Sequence, residues 1–433
     1  MLEWHTTSTR NKDNSIDAGK TNIINMNQRL IIIIVIVIGL LHSCKTEDRQ
    51  KMITASTEYR VDTAAGSCPY LTKDNKNNIV LSWIKKIDTA NSIFCYAVSP
   101  DEGQTFDKLI EVPGTSNVHP HGENMPKVIF KPSGEIIAVW GAANPNPKNA
   151  YSGLVYYTQS FDEGKTWTKP ASLTRDTASF DQRYFDVALL PNGEAGIVWL
   201  DNRKKLSGEG SGLYYAVTKG RNGFEDERLI SQPCCQCCRT DLFIDKSQKI
   251  HVLYRAILND SIRDMVHIIS ADDGQSFSQP QRISNDNWVI SGCPHTGPAM
   301  AENKEGIHVT WFTGGNGAGI YYNHSQDNGQ TFSTRDSVSG KASKHCQITS
   351  LANDNILIVW NESFANGNKF NSRIGIEERT ANGATTSKNY ITSPTSNSSF
   401  PVIFTINSSK AVVAYTENIN GRDHVLYKQI KIP

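Results

Sequence analysis

The sequence has almost no net charge: 44 Lys and Arg stand against 43 Asp and Glu, a formal balance of +1. No basic run occurs along it, so it carries no electrostatic footprint for nucleic acid. Long stretches of helical period are missing, which argues against Rossmann and TIM-barrel architectures. No apolar run reaches the roughly 20 residues of a membrane-spanning helix. The 433 residues are 38% apolar and only 20% charged, enough to bury a core. With 31 Gly, 15 Tyr and 8 Trp, the composition fits many short strands joined by turns.

The longest apolar run, residues 30–41, has twelve residues. That length suits the hydrophobic region of a signal peptide. Arg29 precedes it, and Leu41-His42-Ser43-Cys44 ends it. The arrangement resembles a bacterial lipoprotein signal, in which a small residue precedes the Cys that is lipidated. It implies export, a lipid on Cys44 and membrane attachment, with the outer membrane or cell surface as the expected location. Met26 is the natural start of such a leader. Residues 1–44 are thus expected as leader and signal, 45–58 as tether and start of a closing strand, and 59–433 as one domain.

One octapeptide, Ser-x-Asp-x-Gly-x-Thr/Ser-aromatic, occurs four times. Its Asp residues are Asp101, Asp162, Asp272 and Asp327, each followed two residues later by Gly103, Gly164, Gly274 or Gly329. The pattern predicts a hairpin turn: Asp accepts local backbone N–H bonds, Gly takes the positive-φ position, and the aromatic tucks back between strands. The octapeptide resembles the Asp box, the repeat of the sialidase and BNR-repeat propellers, and the resemblance extends over about residues 60–433. Degenerate copies are expected at Gly220–Gly223 and near Gly383.

A second repeat sets the blade count. Apolar strands end at Trp83, Trp140, Trp199, Tyr254, Trp311, Trp360 and Tyr415, spaced 49 to 59 residues apart. Each belongs to a four-stranded unit, so the expected fold is all-β, a β-propeller of seven blades, with six, the sialidase number, as the alternative. The seventh unit has three strands of its own. A strand within residues 52–61 is expected to supply its fourth and close the ring.

In such a ring the starts of the innermost strands meet at one axial mouth, and the Asp boxes lie on the other face. Eight cysteines follow Cys44, and seven fall at mouth positions: Cys68, Cys234, Cys235, Cys237, Cys238, Cys293 and Cys346. Cys95, on a third strand, is the exception. His119, His121, His295 and His345 join them. Thiolate plus imidazole is a soft ligand set suited to Cu(I) or Zn(II), or to thiol redox chemistry. Disulfide bonding across the axis is the competing reading.

The family resemblance also implies sialidase chemistry, which needs three arginines for the substrate carboxylate, a Tyr nucleophile and an acidic acid/base. The first arginine belongs at the start of blade 1, where this chain has Ser67-Cys68-Pro69. Arg183, Arg239 and Arg255, with Tyr184 and Asp186, are the remaining candidates on the mouth side. Three functions therefore stand open: a metal or thiol centre, a sialidase-type glycosidase acting on glycans, and a glycan- or protein-binding module. A monomer that binds no nucleic acid is expected in each case.

Overall fold

The computed structural model describes residues 52–433 except 148, 204–208 and 368. The leader, Cys44 and most of the tether lie outside the described residues. Residues Met52–Pro433 form one compact unit.

Seven antiparallel sheets make up that unit. Blade 1 runs outward through Gly66–Lys73, Ile79–Lys86, Ser92–Val98 and Ile110–Glu111. Blades 2 to 6 repeat the order, beginning at Lys127–Phe130, Gln182–Leu189, Asp241–Ile244, Ala299–Asn303 and Ser343–Ser350. Blade 7 contains Ser398–Thr405, Lys410–Ile419 and Arg422–Lys431. The first strand of each blade touches the first strand of the next, and Ser398–Thr405 touches Gly66–Lys73, so the ring closes at seven. The fourth strand of blade 7 comes from the start of the domain: Thr54 pairs with Lys431 and Tyr59 with Tyr427. Such pairing satisfies the edge that an incomplete final blade would expose.

The strand-ending aromatics explain the period. Trp83, Trp140, Trp199, Tyr254, Trp311, Trp360 and Tyr415 are all fully buried between blades. Each removes about 150–250 Å² of mostly apolar surface from water, which makes inter-blade packing the main stabilising contact.

The Asp boxes are type I′ turns. Asp101 Oδ1 accepts the Thr105 N–H at 2.8 Å, Oδ2 accepts the Thr105 hydroxyl at 2.7 Å, and Ser99 Oγ accepts the Gly103 N–H at 2.7 Å. Both central residues have positive φ, +58° at Glu102 and +76° at Gly103. The glycines also seat the blades against each other. A Cβ on Gly164, Gly274 or Gly329 would lie 3.1, 2.5 or 2.4 Å from Tyr96, Tyr215 or His267, on the third strand of the preceding blade. Gly223 and Gly383 face Tyr157 and Tyr322 in the same way, which identifies them as the two degenerate copies.

Candidate functional site

At the opposite end of the blades the inner strands are distorted. Cys68, Tyr184, His345 and Phe400 have φ of +61°, +56°, +55° and +51°. Each sits in a register jump: between Ser67 and Tyr70, Arg183 and Asp186, Lys344 and Gln347, or Ser399 and Val402. Such bulges re-aim side chains, and non-glycine residues hold this conformation only where their surroundings enforce it. Neighbouring blades do so here. Thr416 Oγ1 accepts the Cys68 N–H, Asn124 Oδ1 accepts the Tyr184 N–H at 2.9 Å, and Asn361 Oδ1 accepts the Phe400 N–H.

A cavity of about 510 Å³ opens off-axis at this end, over blades 2 to 4. His119, His121, Asn124, Arg183, Tyr184, Cys293 and His295 line it, with Cys237 on its wall. The Tyr184 hydroxyl lies 3.3 Å from His295 Nδ1, and the His121 ring meets the Tyr184 ring edge-on at 5.4 Å. Burial, reinforced by nearby His295, His119 and Arg183, lowers the His121 pKa to about 4, so the ring is neutral at pH 7. The Glu123 N–H donates to His121 Nδ1 at 3.2 Å, which leaves Nε2 as the protonated nitrogen. Burial pushes the Tyr184 phenol well above its ordinary value and keeps it protonated. Arg183 pairs with Asp181 at 2.7 Å, while its Nε is buried without a hydrogen-bond partner. Among the described residues none that lines the cavity is Asp or Glu; Asp181 lies behind the wall, bonded to Arg183 and Asn149.

The other sequence candidates are dispersed. Arg239 is buried against Glu123 Oε2 (3.4 Å) and donates to the carbonyls of Gly297 and Cys346, so its guanidinium ties together segments from different blades. Arg255 donates to the Arg263 and Phe312 carbonyls and to Cys238 Sγ at 3.3 Å. Asp186 is paired with Lys127 at 2.6 Å and caps the Leu242 N–H. These three side chains hold the inner wall together and do not line the cavity, so the expected three-arginine cluster is not assembled. His345 bonds Asn361 and stacks on Phe400, in a crevice apart from the other histidines.

The cysteines separate as well. Cys234 ends the outer strand of blade 3, Phe224–Cys234, and its sulfur faces the Ser231 carbonyl. It does not begin blade 4, because the inner strand there starts only at Asp241. Burial raises the thiol pKa of Cys68 and of Cys346 to about 11. Cys293 is exposed at the cavity edge. Cys235, Cys237 and Cys238, in the crossover from blade 3 to blade 4, do converge. Cys235 Sγ lies 3.5 Å from Cys237 Sγ and 4.0 Å from Cys238 Sγ. Among the described residues this is the group of His, Cys, Asp or Glu side chains close enough to share one ion. Hydrogen bonds from the Cys237 and Cys238 thiols, with Arg255 and Arg263 nearby, favour ionisation of Cys235.

Residues 144–152 supply what the sequence reading missed. They place Asn149, Tyr151 and Ser152 on the cavity, and the Tyr151 side chain stands exposed at its lip. The run of Asn and Pro at 144–147 was the available signal: it lengthens one hairpin on the mouth side.

The fold makes this chain a seven-bladed β-propeller whose blades carry Asp-box-type turns. No family model matches the sequence, and no curated protein does. Among solved structures, a protein of unknown function from Dyadobacter fermentans is similar, at 15% identity and a TM-score of 0.50, over 89% of this chain and 99% of that one. The polysaccharide lyase Uly1 is 10% identical with a TM-score of 0.50, over 90% of this chain and 94% of that one. The Hadza microbial sialidase Hz136 is 14% identical with a TM-score of 0.46, over 87% and 68%. At these identities the likeness is one of fold.

Proposed function

We propose that the protein acts on an anionic, uronate-containing polysaccharide, and that its reaction is β-elimination at the Tyr184 cavity. One observation carries this reading: the described lining residues of the cavity include Tyr184, three histidines, two asparagines and an arginine, and none of them is a carboxylate. Glycoside hydrolysis requires acidic side chains beside the scissile bond, even where tyrosine is the nucleophile. Elimination requires other groups. Arg183 and the neutral His121 Nε2–H donate hydrogen bonds to the substrate carboxylate, which stabilise the charge that builds on it and acidify its α proton. His295, whose Nδ1 lies 3.3 Å from the Tyr184 hydroxyl, removes that α proton, and the phenol, kept protonated by burial, serves as the acid. The C–O bond at the β carbon breaks and a C=C bond forms. The departing glycosidic oxygen takes a proton from the dyad, so the enzyme is restored. The exposed Tyr151 ring offers a stacking face for a sugar at the rim. That a protein of this fold is named a polysaccharide lyase supports the compatibility of fold and reaction.

Incubation with uronate-containing polysaccharides, followed by ultraviolet absorbance of the conjugated unsaturated product, tests the reaction. New reducing ends without that absorbance would mean hydrolysis and would overturn it. The leader supports an exported, lipid-anchored protein. Metabolic labelling with a fatty acid, lost in Cys44→Ala, is the expected outcome.

A further inference from the structure

We propose that Cys235, Cys237 and Cys238 form a binding site for one Cu(I) ion, distinct from the sugar chemistry. The three sulfurs lie within 4.8 Å of one another, with two edges of 3.5 and 4.0 Å. The centre of such a triangle is at most about 2.4 Å from each sulfur, close to the ~2.3 Å of a Zn–thiolate bond. No rearrangement of the backbone is needed to bring the ligands together. Three sulfurs with no fourth donor in the group suit Cu(I), whereas structural zinc takes four ligands.

The surroundings fit a cluster of thiolates. Arg255 Nε donates to Cys238 Sγ at 3.3 Å, and the Arg263 guanidinium is near enough to Cys235 to interact with it electrostatically. Two guanidiniums offset two of the three thiolate charges, and a monovalent cation offsets the third. Arg263 also meets Glu209, whose side chain is 75% exposed and therefore screened by water. The segment is anchored by the Cys235 N–H bond to the Arg255 carbonyl at 2.8 Å. Cys237 borders the cavity, which provides an entry path for the ion. Binding displaces the thiol protons to solvent and changes no oxidation state.

The full-length protein, reduced and kept under argon, is titrated with Cu(I) against bicinchoninate. One ion per chain is expected. Copper X-ray absorption of the wild-type complex is expected to show three sulfur neighbours and no nitrogen, a readout that needs no variant to fold. Loss of an outer-shell partner alone costs about 10–100-fold in metal affinity, so Cys237→Ser is expected to cost at least about 100-fold. Cys293→Ser, at the cavity edge, is expected to leave the affinity unchanged. A nitrogen- or oxygen-dominated spectrum, undiminished binding by Cys237→Ser, or a Cys235–Cys237 disulfide persisting in the reduced protein would each overturn the assignment. So would preferential uptake of Zn(II) with a fourth ligand.

Discussion

The two ends of the blades are built from opposite materials. At the Asp-box end, polar groups are satisfied within eight residues of chain, and glycines sit where a side chain would strike the preceding blade. Hydrogen bonds from the Ser276 and Ser270 hydroxyls and the Ser276 N–H hold the Asp272 carboxylate down to about 2. At the mouth, bulged residues at positive φ are held by hydrogen bonds that run between blades, and Tyr184, His121 and His295 face a cavity. The difference teaches where to look in a repeat protein. A motif that satisfies itself locally is architecture; a strained position held by its neighbours is a place where chemistry can be aimed.

Substitutions at the two ends should therefore fail in different ways. The largest effect is expected from Tyr184→Phe, which removes the oxygen of the proposed dyad. Product formation should fall by at least about 100-fold, while the thermal midpoint stays close to wild type. A variant that instead melts early would place Tyr184 with the architecture. Gly329→Ala is the converse. It forces a methyl against His267 at positive φ, and a loss of about 1–3 kcal/mol in denaturant unfolding is expected. Activity per folded molecule should not change.

Acid sharpens the contrast further. Burial holds the imidazole of His267 at about 3 and that of His308 at about 4, against about 6.5 in an unfolded chain. The unfolded chain thus binds protons that the folded one excludes, and stability should fall as pH drops from 6.5 toward 4. Thermal midpoints across that window check it. Box carboxylates such as Asp272 contribute a loss only nearer pH 2–4. The smallest effect is expected from Tyr151→Ala: a few-fold rise in KM with kcat retained, because its exposed ring stacks substrate without touching the reacting atoms.

Much of the architecture could be read from the chain. The four octapeptides and the seven buried aromatics predicted the blades, and the three-stranded last unit predicted ring closure by an N-terminal strand. The mouth was legible only as a direction. Arg239, Arg255 and Asp186 lie in the inner wall, where Glu123, backbone carbonyls and Lys127 take their charges and hydrogen-bonding capacity. Cys234 shifted from an inner strand to an outer one because a crossover of six residues, 235–240, separates two blades. Tyr151 escaped notice because nothing local distinguishes a hairpin loop that leans over a cavity from one that does not.

Composition and spacing alone determined the blade, the turn and the number of repeats, since each depends on contacts within about 55 residues. Tertiary structure decided which thiols meet, which arginines are consumed and which tyrosine faces open space. Those outcomes depend on bulges and crossovers from several blades. Shifts of a few ångströms there separate a hydrogen-bonded wall from a reactive site.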